Sequence, residues 1–213
     1  MEELFECKLN VILDLDNTII NSLDNDDRTR LPINFQNKFI FKEMIPIYRV
    51  FGRPNLEEFL DYIFRHYNVS VFTAAEKDYA LFIIDNFILT KPERKLDFIF
   101  YRMHVDLGEK LYNGIKDLRL LWDHFQLYNF YPNNTIIVDD LRDVKQANPY
   151  NTIAIKSFDM IDSYGKPNWD IVNDNDLLRV LEELKKYSEK MKHREQLCKR
   201  MKGKNTYVPI MKE

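Results

Sequence analysis

Short apolar runs alternate along the chain with segments whose apolar residues recur at helical spacing. The runs have the length and composition of buried strands, and the segments between them present one apolar face. This alternation predicts an α/β fold in which a Rossmann-like parallel sheet has helices on both faces. The predicted strands are residues 9–13, 69–72, 98–101, 135–138 and 152–155.

Helical periodicity predicts a helix that begins at Pro54, a residue suited to the first turn, and ends at about residue 66. Its apolar side chains fall on one face, at Leu56, Phe59, Leu60 and Ile63. The other predicted helices are residues 77–88, a segment that follows Lys116 and ends near residue 125, and residues 176–187.

Aromatic and aliphatic side chains recur over residues 38–51, which predicts a β-hairpin insert at about 37–52. The charged segment before it, residues 24–30, predicts a loop. Neither stretch is long enough to form a second domain of its own.

The composition limits the class of protein. With 213 residues, of which 45% are apolar, the chain can form one sizeable core, and we expect one domain over residues 1–187. A net charge of −3 predicts no global attraction to nucleic acid or to a membrane. No apolar stretch has the length of a membrane span, and the N-terminus lacks the pattern of a secretory signal. We therefore expect a cytoplasmic or nuclear protein that is not secreted.

The spacing of the cysteines and histidines and the scarcity of glycine exclude three common kinds of site. Cys7 and Cys198 lie far apart and form no paired pattern, which is typical of free thiols in a reducing compartment. The histidines fit no zinc spacing. Glycine is scarce and no Gly-rich phosphate loop is present, so phosphate chemistry would require another arrangement.

Residues 188–213 form a basic C-terminal tail. From Lys185 onward, lysine and arginine far outnumber glutamate. Such a tail is typical of segments that contact nucleic acid or an acidic partner, and equally of a solvated helix end. The sequence leaves both interpretations open.

The first predicted strand ends in two aspartates, Asp14 and Asp16, with Thr18 close behind them. Residues i and i+2 of an extended chain point to the same side, so the two carboxylates would lie together. Like charges that close repel unless a cation lies between them or one takes a proton. The ordinary alternative is an acidic turn, but the pattern favours a functional site.

Further polar residues follow other predicted strands or precede a helix: Thr73, Lys116, Asp139 and Asp140. Taken singly, each has an ordinary role as a helix cap, a surface lysine or a turn. In a parallel sheet, however, the carboxyl ends of the strands meet at one edge, where ligands bind. Together these residues therefore predict a single site.

The motifs around these residues resemble the haloacid dehalogenase superfamily of phosphatases. The closer resemblance is to the phosphatases that act on the C-terminal domain of RNA polymerase II. Residues 14–19 (DLDNTI) are similar to that family's DLDETL, and residues 53–60 (RPNLEEFL) to its RPGLEEFL.

Three later motifs match the same family in order. Residues 71–75 (VFTAA) with Tyr79-Ala80 resemble VFTAS followed by YA, Lys116-Asp117-Leu118 resembles KDL, and residues 138–140 resemble the closing VDD. The resemblance extends from about residue 9 to about residue 184, which implies that residues 1–187 form a haloacid dehalogenase-like phosphatase domain.

The resemblance implies a Mg²⁺-dependent phosphatase that hydrolyses phosphomonoesters through an aspartyl-phosphate. Asp14 would be the nucleophile and a metal ligand. Asp16 would be the general acid and base, and would bind the metal through its backbone carbonyl. Asp140 would complete the metal site, with Asp139 either as a further ligand or as a residue that orients Lys116.

The remaining site residues would act on the phosphate. By the same resemblance, Thr73 would donate hydrogen bonds to the phosphoryl oxygens, and Lys116 would neutralise charge on the phosphoryl group and on the nucleophile. Further substrate contacts are expected at Thr18, Ala74 and Arg102.

The resemblance also bears on the substrate. Large cap domains in this superfamily enclose small metabolites, whereas this chain has no room for one, so we expect an open crevice and a phosphoserine or phosphothreonine protein or peptide as substrate. The insert aromatics Phe39, Phe41 and Tyr48 either form an apolar wall for a substrate proline or pack in the core. Two alternative functions stay open: a phosphatase for nucleotides or nucleic-acid ends, and a non-catalytic binding module on the same fold.

Overall fold

A computed structural model describes residues 8–24, 26–27 and 30–202, with side chains described as far as residue 193. The strands are β1 (Asn10–Leu13), β2 (Ile20–Asp24), β3 (Phe41–Met44), β4 (Tyr48–Gly52), β5 (Asn68–Phe72), β6 (Leu96–Phe100), β7 (Thr135–Asp139) and β8 (Thr152–Ala154). The α-helices are α1 (Ile33–Gln36), α2 (Leu56–His66), α3 (Lys77–Ile83), α4 (Arg102–Tyr112), α5 (Arg142–Ala147) and α6 (Asp176–Lys202).

The centre of the fold is a five-stranded sheet in the order β6-β5-β1-β7-β8, with every adjacent pair parallel. This confirms the predicted α/β class. Strand β1 lies in the middle, where Leu13 is level with Val71 of β5 and Val138 of β7. The carboxyl ends of three neighbouring strands therefore lie side by side.

Helices cover both faces of this sheet, and successive residues of β1 point to opposite faces. Val11 and Leu13 belong to a core that includes buried residues of α2, α3 and α6. Ile12 belongs to a second core that includes Val105 of α4 and Val144 of α5. Burial on both faces explains why the strand sequence is continuously apolar rather than alternating.

The predicted helices are partly confirmed. Helix α2 buries Leu56, Phe59, Leu60 and Ile63, the face that the spacing predicted. The predicted helix 77–88 is α3 followed directly by a π-helical turn, Ile84–Ile88. The predicted helix after Lys116 is wrong in extent, because its regular part is a π-helical turn at Leu120–His124.

Helix α4 is absent from the sequence prediction, which assigns no element between the strand at 98–101 and Lys116. It is a polar helix that buries Val105 and Gly108. A Cβ on Gly108 would lie 3.1 Å from Leu120 Cδ1, so the glycine allows this helix to pack closely against the segment after Lys116. A glycine in the middle of a polar segment conceals the helix from periodicity arguments.

The predicted hairpin is confirmed as β3 and β4, and it belongs to a larger unit. Strand β2 pairs antiparallel with β4, which gives a three-stranded sheet in the order β2-β4-β3. Phe39 is buried there beside Phe35, Phe51 and Phe158, so its role is core packing. We call β2, β3 and β4 the insert sheet.

The basic tail begins within α6, whose backbone continues without a break from Asp176 to Lys202. Residues 203–213 of the predicted tail lie outside the described residues, as do Cys7 and the side chain of Cys198. Among the helices that the structure describes, none combines the length and apolar character needed to cross a bilayer.

Candidate active site

The ends of β1 and β7 bring three carboxylates together. Asp14 directly follows β1, and its amide donates a hydrogen bond to the carbonyl of Val138 (3.0 Å). Asp139 is the last residue of β7, and Asp140 follows it. One oxygen from each of Asp14, Asp139 and Asp140 lies within 4.8 Å of the other two. The predicted convergence of these residues at one edge of the sheet is therefore present.

A buried lysine lies against two of these carboxylates. Lys116 is 1% exposed, and its Nζ lies 2.5 Å from Asp14 Oδ1 and 2.7 Å from Asp139 Oδ2. Burial alone would lower the pKa of Lys116, but the charges of Asp14 and Asp139 outweigh it and raise that pKa above its usual value. Lys116 is thus held as an ammonium ion that points at the predicted nucleophile.

The loop that carries Lys116 is fixed by Asn148. Lys116 has a backbone φ of +48°, in the left-handed region, which a lysine adopts only where its surroundings hold it. The Asn148 side chain donates to the carbonyl of Lys116 (3.1 Å) and accepts from the amide of Leu118 (2.9 Å). Asn148 therefore fixes the backbone at Lys116, and through it the position of the ammonium group.

Asp139 has a double role in this geometry. Its Oδ2 pairs with Lys116, while its Oδ1 accepts a hydrogen bond from the amide of Leu141 (2.9 Å). Burial raises the pKa of Asp139, and the neighbouring charge of Asp14 raises it further. Burial and Asp14 also raise the pKa of Asp140.

The donor set fits Mg²⁺. Three carboxylates against one ammonium leave an excess of negative charge, and carboxylate oxygens are the ligands that hard divalent cations prefer. Burial is the main cause of the raised pKa values of Asp139 and Asp140, and the charge of Asp14 adds to both shifts. The metal contact predicted for Asp16 involves its backbone carbonyl and stays a prediction.

Asp16 lies beside this cluster and has a different environment. Its Oδ1 accepts a hydrogen bond from the hydroxyl of Tyr79 (2.5 Å). Burial raises the pKa of Asp16 to about 6, with the Tyr79 hydrogen bond acting against the shift and the charge of Asp14 adding to it. At neutral pH a far larger fraction of Asp16 is protonated than of an ordinary aspartate, as a general acid requires.

Thr18 and Thr73 are two buried threonines beside the carboxylate cluster. Thr18 is buried, and its hydroxyl donates to Asp14 Oδ2 (2.9 Å), so its contact is with the predicted nucleophile. Thr73 is buried at the end of β5, where its Oγ1 accepts the amide of Ala75 (3.1 Å) and closes the turn that contains Ala74. Neither contact tests the predicted hydrogen bonds to phosphate, which stay predictions.

Arg102 is more loosely placed than the other predicted site residues. It begins α4 at the carboxyl end of β6, and its amide donates to the carbonyl of Ala75 (2.9 Å). The guanidinium is half exposed and lies 4.0 Å from Glu76. Its backbone is thus tied to the turn after β5, whereas its side chain remains accessible to a ligand.

Sequence reasoning missed a buried arginine that supports the first motif. Arg53 donates to the carbonyl of Thr18 (2.8 Å) and makes a two-pronged ion pair with Asp174 (2.9 and 2.8 Å). It therefore joins the loop after β1 to the segment before α6. Its position in the RPNLEEFL motif was the available signal, but a motif does not say what a side chain touches.

Comparison with known proteins agrees with this geometry. The model of the NLI interacting factor-like phosphatase family matches residues 9–194. The chain is 37% identical over 176 residues to the CTD phosphatase-like protein 355R of Invertebrate iridescent virus 6, covering 79% of this chain and 96% of the relative. A protein of the same description from Invertebrate iridescent virus 3 is 38% identical over 186 residues, covering 83% of this chain and 95% of the relative.

More distant similarities extend to cellular proteins. CTD nuclear envelope phosphatase 1B of Danio rerio is 29% identical over 153 residues, covering 70% of this chain and 58% of that protein. The structure of the fission yeast RNA polymerase II CTD phosphatase Fcp1 bound to beryllium fluoride matches with a TM-score of 0.55 at 20% identity. That match covers 97% of this chain and 59% of the yeast chain, and it supports the fold alone.

Proposed function

This chain belongs to the NLI interacting factor-like phosphatase family, and on that premise we propose that it hydrolyses phosphomonoesters through a phosphorylated Asp14. The observation that carries the proposal is the contact of a buried lysine with the carboxylate at the end of the central strand. An ammonium at that position lowers the charge repulsion between an aspartate nucleophile and a phosphate dianion. A purely structural ion pair would not require two further carboxylates beside it.

In the first step, Asp14 attacks phosphorus and the bond from phosphorus to the leaving oxygen breaks. Asp16 gives its proton to that oxygen, so the alcohol leaves as a neutral molecule. In the second step, Asp16 takes a proton from water as the water oxygen attacks phosphorus. The bond from phosphorus to Asp14 then breaks, and inorganic phosphate is released.

The other residues hold charge and position. Thr18 keeps the Asp14 carboxylate oriented through its hydrogen bond, and Lys116 neutralises Asp14 on the opposite oxygen. Thr73 lies at the end of the adjacent strand, where its hydroxyl would donate to the phosphoryl oxygens. Asp14, Asp140 and the backbone carbonyl of Asp16 would hold Mg²⁺, with Asp139 pairing with Lys116. The ion would supply the positive charge that a phosphate dianion needs in an acidic site.

The proposed substrate is a phosphoserine or phosphothreonine in a protein. Between the site motifs the described chain holds the small insert sheet and α4 rather than a separate cap domain, so a phosphate carried on a macromolecule can approach. The names of the relatives, CTD phosphatase-like proteins and CTD nuclear envelope phosphatases, agree with a protein substrate. The basic tail is a further proposed contact, for an acidic partner or for nucleic acid.

The test is a substrate panel run on matched variants. We expect turnover of phosphoserine peptides and p-nitrophenyl phosphate to stop when EDTA removes Mg²⁺. It should fall by at least about a thousandfold in Asp14→Asn, because that change removes the nucleophile. The control is Asp106→Asn, an exposed aspartate on α4, which should keep wild-type rates.

Two outcomes would contradict this proposal. Faster turnover of nucleotides or of phosphorylated DNA ends than of phosphopeptides would replace the protein substrate with a nucleic-acid one. Binding of phosphopeptides without any turnover in the presence of Mg²⁺ would instead identify a binding module.

A further inference from the structure

A chain of two hydroxyl groups joins the insert sheet to Asp16. The hydroxyl of Tyr79, on α3, donates to Asp16 Oδ1 at 2.5 Å. The hydroxyl of Ser22, on β2, contacts the same Tyr79 oxygen. Because the single tyrosine proton is used toward Asp16, Ser22 is the donor in the second contact. The hydrogen bonds therefore run in one direction, from Ser22 to Tyr79 to Asp16.

The insert sheet also holds the ring of Tyr79. Tyr48, on β4, packs edge-on against it with ring centroids 5.6 Å apart. Tyr48 and Ser22 lie on paired strands, since Ser22 is level with Val50 of β4. The tyrosine is thus fixed at its ring and at its hydroxyl, and it is half-buried between α3 and the insert sheet.

This arrangement has a consequence for the proton that Asp16 carries. A protonated carboxyl group has one oxygen that donates and one that accepts. While the Tyr79 hydroxyl donates to Oδ1, that oxygen only accepts, so the acid proton resides on Oδ2. A proton on Oδ1 would require both hydroxyl groups of the chain to reverse their hydrogen bonds. One hydrogen bond therefore selects the oxygen that donates and fixes the rotation of the carboxyl group.

We propose that Tyr79, held by Ser22 and Tyr48 of the insert sheet, is a positioning residue that directs the Asp16 proton toward the leaving group. The inference rests on the proposed function, in which Asp16 protonates the leaving oxygen. It gives the insert sheet a part in the chemistry, in addition to its own packing. Neither Tyr79 nor Ser22 touches the carboxylate cluster of Asp14, Asp139 and Asp140 through a hydrogen bond described in the structure.

A series of aryl phosphates with differently basic leaving groups tests the proposal. An acidic phenol leaves with little help from a general acid, whereas a basic one needs a proton. In Tyr79→Phe we expect kcat/KM to fall by about 10- to 100-fold for the most basic leaving groups, within the range of acid catalysis. For p-nitrophenyl phosphate the fall should be only a few-fold, about 2 to 5. The loss should appear in kcat rather than in KM.

Tyr67→Phe is the matched control. Tyr67 is a buried tyrosine of the same core, and it directly precedes β5, so it lies at the opposite edge of the sheet from the site. Its loss should leave the dependence on the leaving group unchanged. Ser22→Ala is a second, milder test, expected to change the slope in the same direction without touching the tyrosine ring.

A double-mutant comparison separates positioning from structure. If Tyr79 acts through Asp16, then Tyr79→Phe should have no further effect on the leaving-group dependence in an Asp16→Asn background. Additive losses in the double variant would overturn the proposal. So would a Tyr79→Phe variant that is folded and slowed equally for all leaving groups, or not slowed at all.

The results that would overturn the role of Tyr79 can be distinguished from those that would overturn the proposed function. If wild type does not turn over any aryl phosphate, or if Asp14→Asn keeps its activity, the proposed function is wrong. If wild type is active and Asp16→Asn shows the expected sensitivity to the leaving group, but Tyr79→Phe does not, then only the role of Tyr79 is wrong. Circular dichroism and the thermal midpoint of each variant show whether the fold survives.

Discussion

Replacing Lys116 by Met should destabilise the fold in a way that depends on pH. Methionine keeps most of the buried volume but removes the ammonium that lies 2.5 Å from Asp14 and 2.7 Å from Asp139. The carboxylates then remain buried without their cation. Removing one partner of a buried ion pair typically costs about 3–5 kcal/mol of the free energy of unfolding. For a chain of this size that loss lowers the thermal midpoint by about 6–20 °C.

The sign of the pH dependence follows from the carboxylates. Burial already raises the pKa of Asp139 and of Asp140 above the unfolded values, so ionising them in the folded protein costs stability. The Lys116 ammonium offsets that cost, and its removal raises both pKa values further. The destabilisation should therefore be largest at about pH 7.5 and should shrink toward about pH 5, as the carboxylates take protons.

Urea unfolding followed by circular dichroism, with EDTA present, measures this effect at both pH values. The matched control is Lys91→Met, because Lys91 also contacts two carboxylates, those of Glu57 and Asp61 at 2.8 and 2.6 Å, but does so at the surface. That variant should lose far less stability, because solvent screens exposed ion pairs. A loss in Lys116→Met below about 1 kcal/mol at pH 7.5, or one that is equal at the two pH values, would refute the reasoning.

Two further predictions concern the site. Asn148→Ala should lower the free energy of unfolding, measured in urea, by about 1–3 kcal/mol and should also lower kcat. The reason is that the carbonyl of Lys116 and the amide of Leu118 both lose a buried hydrogen-bond partner. Unchanged stability would contradict the role of Asn148 in holding that loop. With an aryl phosphate whose leaving group is basic, kcat/KM should fall as pH rises above about 6, the pKa of Asp16, because the general acid then loses its proton. The phosphate group of the substrate ionises near the same pH whichever variant is used, so the pH profile of the wild type is compared with that of Asp16→Asn. Identical pH profiles for the two proteins would contradict the assignment of Asp16 as the general acid.

Much of the fold could be predicted because its strands are buried on both faces. Runs such as Val11 to Leu13 are apolar throughout, and this composition identifies a central parallel strand with no knowledge of its partners. Strand β2 was missed for the opposite reason. It contains Asn21 and Ser22, and it is defined by pairing with β4, far along the chain. Pairing between distant segments leaves little trace in local sequence.

The segment after Lys116 illustrates a different limit. Its apolar spacing predicted a regular helix, but the Asp117 side chain accepts the amide of Arg119 (2.9 Å) and so forms a turn at the start. Such a contact fixes where the helix begins. The helix ends before Gln126, whose φ of +50° lies in the left-handed region, so the regular part is one turn, Leu120–His124.

The central carboxylates could be predicted because parallel strands place their ends together. Asp14 and Asp139 are one strand apart in the sheet, so the topology alone brings them close. Tyr79 and Asn148 could not be given roles in the same way, since their contacts depend on how α3 and α5 approach the sheet edge. The motif around Thr73 includes Tyr79, but the contact of Tyr79 with Asp16 becomes visible only in three dimensions.

The most direct test of the account is to identify the atom that carries the phosphoryl group during turnover. Wild-type protein is mixed with Mg²⁺ and p-nitrophenyl phosphate, quenched in acid, reduced with borohydride and digested for mass spectrometry. Borohydride converts an aspartyl-phosphate to homoserine, so the account predicts homoserine at position 14 and nowhere else. Continued turnover with position 14 unmodified, or with the modification on another carboxylate, would contradict it.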